Sequence, residues 1–173
     1  IDRSRGLGDV YKRQAEHNHW SPFAHTFLSF RIKAPVFVAR QLVKHQVGLV
    51  WNEESRRYIT YDPEIYNIRK WRKKPDSSKQ GSGEQILIST ELNLEVNEHL
   101  QQGLSLYNRL LLENVAPEQA RAVLPQSMYT NWIWSGTLYA FARVCELRLD
   151  EHSQKETQEL SLIHISEPTR PID

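Results

Sequence analysis

The chain has 173 residues, 39% of them hydrophobic and 25% charged, a composition that excludes a disordered tail or a fibrous repeat and allows one packed domain. Twenty-two lysines and arginines against 21 aspartates and glutamates leave a formal charge of +1, so bulk charge selects neither a nucleic acid nor a membrane surface. The single cysteine, Cys145, excludes a disulfide framework and a multi-thiolate zinc site, and it fits a reducing, cytoplasmic setting. No apolar run approaches the ~20 residues that a membrane span requires.

Both ends read unlike the middle. Residues 4–14 (SRGLGDVYKRQ) back-translate to codons resembling the transposon end used in sequencing libraries, and residues 160–170 (LSLIHISEPTR) to the complementary adapter. Residues 1–14 and 160–173 are therefore expected to be adapter-derived, and 15–159 to be a partial domain. Setting the ends aside leaves 17 basic and 17 acidic side chains, a neutral core.

Within that core, residues 26–33 (TFLSFRIK) place Leu28, Phe30 and Ile32 at period two, the pattern of a half-buried strand. Pro35 then opens a helix carrying Val36, Phe37, Val38, Leu42 and Val43 that is expected to end near residues 46–48. Residues 52–66 read as loop and short extended pieces, where chemistry is often placed. Residues 69–83 (RKWRKKPDSSKQGSG) read as a mobile surface excursion. From residue 89 to 114, Leu92, Val96, Leu100, Leu104, Tyr107, Leu110 and Leu111 recur every three or four residues, the stripe of a long amphipathic helix. A short helix between Pro117 and Pro125 follows, then a helix over 129–147 bearing Trp132, Trp134 and Phe141, and Asp150 is expected to cap a last helix. This order implies an α+β fold, helices packed on a small antiparallel-type sheet.

Three clusters carry possible chemistry. In HNHWSPFAH, His17, His19 and His25 fit a metal site loosely, and equally fit backbone hydrogen bonding around Pro22 or contact with an anionic or aromatic ligand. In residues 40–58, Arg40 and Lys44 stand four apart on the expected helix with Gln41 and His45 beside them, and the loop adds Asn52, Glu53, Ser55, Arg56, Arg57 and Tyr58. Guanidinium forks and hydroxyls are phosphate donors, and an amide reads a pyrimidine edge, although a solvated charged face has the same composition. In residues 146–156 (ELRLDEHSQKE), Arg148 follows an apolar stretch by one turn; pointing inward, it needs an anionic partner.

Taken together, HxxPFxH (His19 to His25), KAPVFVARQ (Lys33 to Gln41), NExSxRY (Asn52 to Tyr58), LPxxxYT (Leu124 to Thr130) and LRxDxHxQxE (Leu147 to Glu156) resemble the flavin-dependent thymidylate synthase family, in its order and across 15–159. The resemblance implies an α+β homotetramer with active sites shared between subunits. It implies methylation of deoxyuridine monophosphate (dUMP) to thymidylate, with methylenetetrahydrofolate as carbon donor, FAD as redox carrier and NADPH as reductant. By position, it implies that His19, Ser21, Lys44, His45, Gln46, Asn52, Glu53 and His152 contact the flavin. Gln41, Lys44, Ser55, Arg56, Arg57 and Arg148 would hold the nucleotide, Arg148 also polarising the uracil as the catalytic residue. No protein nucleophile and no metal are implied, which agrees with Cys145 as core packing. A cytoplasmic location, in a host cell if the source is viral, follows from the same resemblance, with no membrane or nucleic-acid partner.

The family's RHR signature with seven residues before the serine is here KHQ followed by eight, 47–54. This form, with WNE and KQGS (residues 79–82), resembles virus-like members. Asn131 stands where many members place a nucleotide-binding arginine, and Thr137, Tyr139 and Arg143 differ from common flavin-contacting residues. The incomplete span leads to the expectation that the chain as written is inactive. Two other classes compete with the flavoenzyme. One is a single-stranded nucleic-acid module built on Trp51, Trp71 to Lys74 and Lys79; the other is a metal hydrolase using His17, His19, His25 or His152.

Overall fold

In the computed structural model, residues 6–59, 61–76 and 81–162 are described. Lys79, Gln80 and parts of both expected adapter-derived ends, residues 1–5 and 163–173, lie outside the described residues. Three antiparallel strands, β1 (Phe27–Pro35), β2 (Leu49–Glu53) and β5 (Tyr129–Thr137), form a sheet in the order β1-β5-β2. Phe27 pairs with Thr137 and Pro35 with Tyr129 on one side of β5; Leu49 pairs with Gly136 and Glu53 with Trp132 on the other. The expected strand with Leu28, Phe30 and Ile32 on one side is β1, with burial deepening to Ile32.

The central strand corrects the sequence reading. Residues 129–137 are β5, and only Leu138–Arg148 is helix, α6. Thr130, Trp132, Trp134 and Gly136 alternate inward at period two, and the aromatic spacing that resembles a helix stripe fits this alternation too. Both edges of β5 are paired, so ladder bonds and burial decide what the pattern leaves ambiguous. The Thr137 hydroxyl then caps α6, accepting from Ala140 N–H at 3.1 Å.

The core lies where this sheet meets α3 (Val36–Leu42), α6 and α7 (Lys155–Leu160), with Ile32, Val38, Leu42, Trp132, Trp134, Phe141, Val144 and Leu160 buried together. Phe141 meets Phe30 and Trp134 edge-on at 4.9 and 5.4 Å between centroids, and Trp51 stacks on Trp132 at 4.3 Å. Cys145 packs against the same cluster, and burial pushes its thiol pKa up, which makes it an unreactive core side chain.

Helix α3 starts where Pro35 predicts, its first N–H groups bonding to Met128 and Gln126 carbonyls. It stops at Leu42, not near 46–48. His45 N–H turns back to the Leu42 carbonyl, and Gly48 at φ +75° reverses the chain into β2. Lys44 and His45 therefore leave the helix, and the expected Arg40/Lys44 face does not form.

Two more differences bear on the site. The described part of the expected excursion, residues 69–76 and 81–83, is tied down: β3 (Trp71–Arg72) pairs with β4 (Gln85–Ile86), and Arg72 reaches 84 residues ahead to Glu156. Asp150 caps a turn rather than a helix, accepting from His152 N–H at 2.8 Å, while Gln154 precedes α7.

Away from the sheet, α4 (Thr90–Leu112) follows its expected span and its Ser89 cap, yet only Tyr107 is buried. Gly103 permits close passage of the Val123 carbonyl, 3.3 Å from where a Cβ would stand, beside α5 (Pro117–Ala120) and its 3-10 extension Arg121–Val123. At the amino end, α1 (Leu7–Glu16) buries no residue, though Tyr11 meets Phe23 of α2 (Ser21–Ala24) at 6.0 Å. No helix among the described residues is long and apolar enough to cross a membrane.

Candidate functional site

Because α3 ends early, its last turn and the loop to β2 stand against the end of α6, and two cavities open there. The first, about 510 Å³, is lined by Gln41, Arg72, Gly81, Ser82, Arg148, His152, Ser153 and Gln154. Among the described residues that line it there are two guanidinium groups, two amides and two hydroxyls, and no carboxylate. Gln41 is oriented at both ends: its Nε2 donates to Gln154 Oε1, and its Oε1 accepts from Thr157 at 3.3 Å. One N–H and one lone pair of that amide are left for a ligand.

The second cavity, about 740 Å³, has walls of Trp20, Val47, Leu49, Tyr139, Val144 and Leu147, with Lys44, His45, Gln46 and Arg143 as its polar groups. A third, about 340 Å³, adjoins it through Trp20, Tyr139 and Arg143 and contains His19. Trp20 and Tyr139 approach to 6.1 Å between centroids, forming an aromatic wall common to both.

The first two cavities meet at one hydrogen bond, from Arg148 Nε to His45 Nε2 at 2.8 Å. Accepting at Nε2 leaves the ring proton of neutral His45 on Nδ1. Burial, and then the Arg148 charge, lower the His45 pKa, so imidazole and guanidinium are compatible neighbours. The expected anionic partner of Arg148 is absent among the described residues: the partner is a neutral ring nitrogen. A guanidinium with no carboxylate partner among the described residues, beside this cavity, is chemically suited to a ligand anion.

The structure brings together Gln41, Arg148 and His152 in one cavity and Lys44, His45 and Gln46 in the other. His19 joins through the third cavity, whereas Ser21 lines none of the three. Nor do Asn52, Glu53, Ser55, Arg56 and Arg57. Glu53 is already engaged, its carboxylate accepting from Thr130 at 2.7 Å and from Trp51 at 3.2 Å. In the loop after β2, Arg57 Nε donates to Ser55 at 3.3 Å, and Arg56 donates to the Tyr61 carbonyl and stacks over its ring. Asn131 donates to Glu54 at 2.8 Å; the Tyr61 hydrogen bond, then that of Asn131, hold the Glu54 carboxyl below its ordinary pKa.

Arg72, Gly81 and Ser82 escape the sequence reading, which has no local signal that a lysine-rich hairpin packs against a helix 84 residues away. Trp51 is stacked inside the sheet on Trp132 and is not a base-stacking platform, which removes one support of the nucleic-acid alternative. Among the described residues, no group of three or more His, Cys, Asp or Glu side chains is placed to hold a metal ion.

The α+β frame thus joins an arginine-bearing cavity to an aromatic-walled one, an arrangement suited to a charged ligand beside a planar one. Residues 3–167 match the family described as "Thymidylate synthase complementing protein" (Thy1), and the chain belongs to that family. It is 38% identical over 151 residues to a flavin-dependent thymidylate synthase of Kosmotoga olearia, covering 85% of this chain and 64% of that protein. It is 36% identical over 150 residues to that of Thermosipho africanus (85% and 65%), and 36% identical over 143 residues to one from Thermus thermophilus (83% and 52%). The chain thus spans between about half and just under two thirds of these relatives' lengths.

Proposed function

We propose that the chain is the nucleotide- and flavin-binding core of a flavin-dependent thymidylate synthase, which methylates dUMP to dTMP with methylenetetrahydrofolate as carbon donor, FAD as redox carrier and NADPH as reductant. The observation that carries the reading is the Arg148–His45 hydrogen bond linking an arginine-bearing cavity, with no carboxylate among the described residues that line it, to one with aromatic walls.

The residues fit both ligands. A pyrimidine nucleotide needs an amide for the ring edge and cations for the phosphate, and Gln41, Arg148 and Arg72 offer them in one cavity. FAD needs apolar and aromatic walls for its rings and cations for its pyrophosphate; Trp20, Tyr139 and Leu147 offer the first, and Lys44 and Arg143 the second. The hydride that completes methyl transfer comes from the reduced flavin when it is bound. Arg148 donates to the uracil carbonyl and stabilises negative charge as it grows on the ring. His45 holds Arg148 in place from behind through its unprotonated Nε2. Lys44 and Gln46 bind flavin polar groups, with His19 and His152 at the margins.

In this reading Ser55, Arg56 and Arg57 complete the phosphate site, and Ser21, Asn52 and Glu53 the flavin site, from a neighbouring copy in a homotetramer. Their distance from this chain's own cavities supports that assignment. The test is made on this domain at the full length of the relatives it matches: flavin absorbance of the purified protein, then NADPH oxidation with and without dUMP. Bound flavin with dUMP-dependent turnover, lost in Arg148→Ala with flavin retained, is the expected result. A folded protein with neither flavin nor turnover overturns the reading for this chain.

A further inference from the structure

We infer that Arg72, on the β3–β4 hairpin, is a phosphate-recognition residue of the Gln41–Arg148 cavity; this rests on the nucleotide reading above and adds a contact from outside the motifs that suggested it. Among the described residues lining that cavity, Arg72 and Arg148 carry the two guanidinium groups. Its Nε donates to Ser82 Oγ at 2.7 Å and its Nη2 to Glu156 Oε1 at 2.5 Å, with side chains only 22% and 11% exposed. It is therefore fixed in direction rather than waving in solvent, and three of its five N–H donors are left for a ligand. The pairing carboxylate, Glu156, is not among the described residues that line this cavity; together with Arg72, Glu64 and Glu159 it lines a neighbouring cavity of about 480 Å³.

The hairpin is seated against the site. Gly81, at φ +81°, passes so close to the turn after α6 that a Cβ there would stand 2.9 Å from the His152 carbonyl oxygen. Only glycine both adopts that conformation and allows that approach. Lys73 N–H bonds to the Glu84 carbonyl and Gly83 N–H to that of Lys73, each at 2.9 Å, which holds Arg72 and Ser82 opposite one another. Meanwhile Asn131, at the position where an arginine is common, is committed to Glu54, and Arg57 to Ser55 on a loop outside the cavity. Arg72 with the Ser82 hydroxyl is the pair in this chain that matches a phosphate monoester next to Arg148.

The experiment is equilibrium binding of dUMP and of deoxyuridine, which lacks the phosphate, to the full 173-residue chain, with a thermal melt for every variant. Arg72→Ala alone would strand the Glu156 carboxylate, so the deciding variant is Arg72→Gln with Glu156→Gln, which keeps a hydrogen-bonding pair without charge. Its dUMP affinity is expected to fall about 10- to 100-fold, as loss of a charge-assisted hydrogen bond does, with deoxyuridine affinity within about twofold of the parent. Glu156→Gln alone, which retains Arg72, is expected to keep dUMP affinity. Should the double variant fail to melt cooperatively, Arg72→Lys decides: it keeps the ion pair but not the fork, and dUMP binding is to fall about 3- to 10-fold while deoxyuridine binding holds. Unchanged dUMP affinity, or equal loss for both ligands, overturns the inference while leaving the nucleotide reading intact. A parent chain that binds neither ligand overturns both.

Discussion

Replacing Gly136 with alanine tests how the sheet builds the site. Gly136 sits on β5 opposite Leu49, where β2 begins. A Cβ at that position would lie 2.4 Å from the Gly48 carbonyl oxygen, 2.6 Å from Leu49 Cδ2 and 3.2 Å from Leu49 Cα. The carbonyl must retreat by about 0.6 Å before the contact reaches 3.0 Å, the limit that real Cβ atoms respect. It belongs to the backbone of a turn at φ +75° and accepts from Thr137 N–H at 3.3 Å, so it cannot rotate aside like a side chain. Overpacking of this kind costs about 1–3 kcal/mol, and loss of the Thr137 bond adds about 1 kcal/mol. A domain of this size then melts about 5–15 °C lower. Because residues 44–49 line the larger cavity, flavin retention should fall with it. Thermal melts by circular dichroism, with Gly8→Ala in α1, where an added Cβ meets nothing within 4 Å, as a control, check the size of the effect. A Gly136→Ala protein melting within about 2 °C of the parent would refute the close passage of β2 over β5.

Two further perturbations probe charge. His45 has its pKa lowered from the ordinary 6.5, by burial and then by Arg148, so below pH 6.5 the unfolded chain takes up a proton that the folded one resists. Stability is thus full above pH 6.5 and declines as pH falls below it; His45→Gln should flatten that part of a urea-midpoint profile, and an unchanged profile would refute the assignment. For Glu156, burial pushes the carboxyl pKa up, but the hydrogen bonds from Arg72, its own backbone and Gln154, with the Arg72 charge, outweigh it and leave it below 4.5. Its contribution is present above pH 4.5 and lost as pH falls through the folded value. Arg72→Ala should cost about 3 kcal/mol in urea unfolding at pH 7 by stranding that carboxylate, against about 1 kcal/mol for Arg72→Gln with Glu156→Gln. Equal losses for the two would mean that the pair is not electrostatically coupled.

Local signals were sufficient where one segment's chemistry dictated its own shape. Alternating Leu28, Phe30 and Ile32 marked β1, Pro35 the start of α3, the leucine stripe α4, and Pro117 α5. The ordered motifs likewise indicated the family, and Gln41 and Arg148 as neighbours. Where two patterns coexisted in the same residues, the sequence could not choose. Trp134 and Phe141, seven apart, fit a helical stripe, whereas Trp132 and Trp134, two apart, fit a strand alternation, and pairing on both sides of β5 made the difference. The end of α3 was decided by a turn at Gly48 that must deliver β2 to that same strand. Arg72 is the furthest case: nothing in WRKK signals a carboxylate 84 residues on, because an ion pair across that distance exists only after the hairpin and α7 have been packed together. Propensity and periodicity are properties of a segment, whereas a cavity is a property of surfaces that meet, and here only the packed chain set Arg72 and Arg148 around one volume.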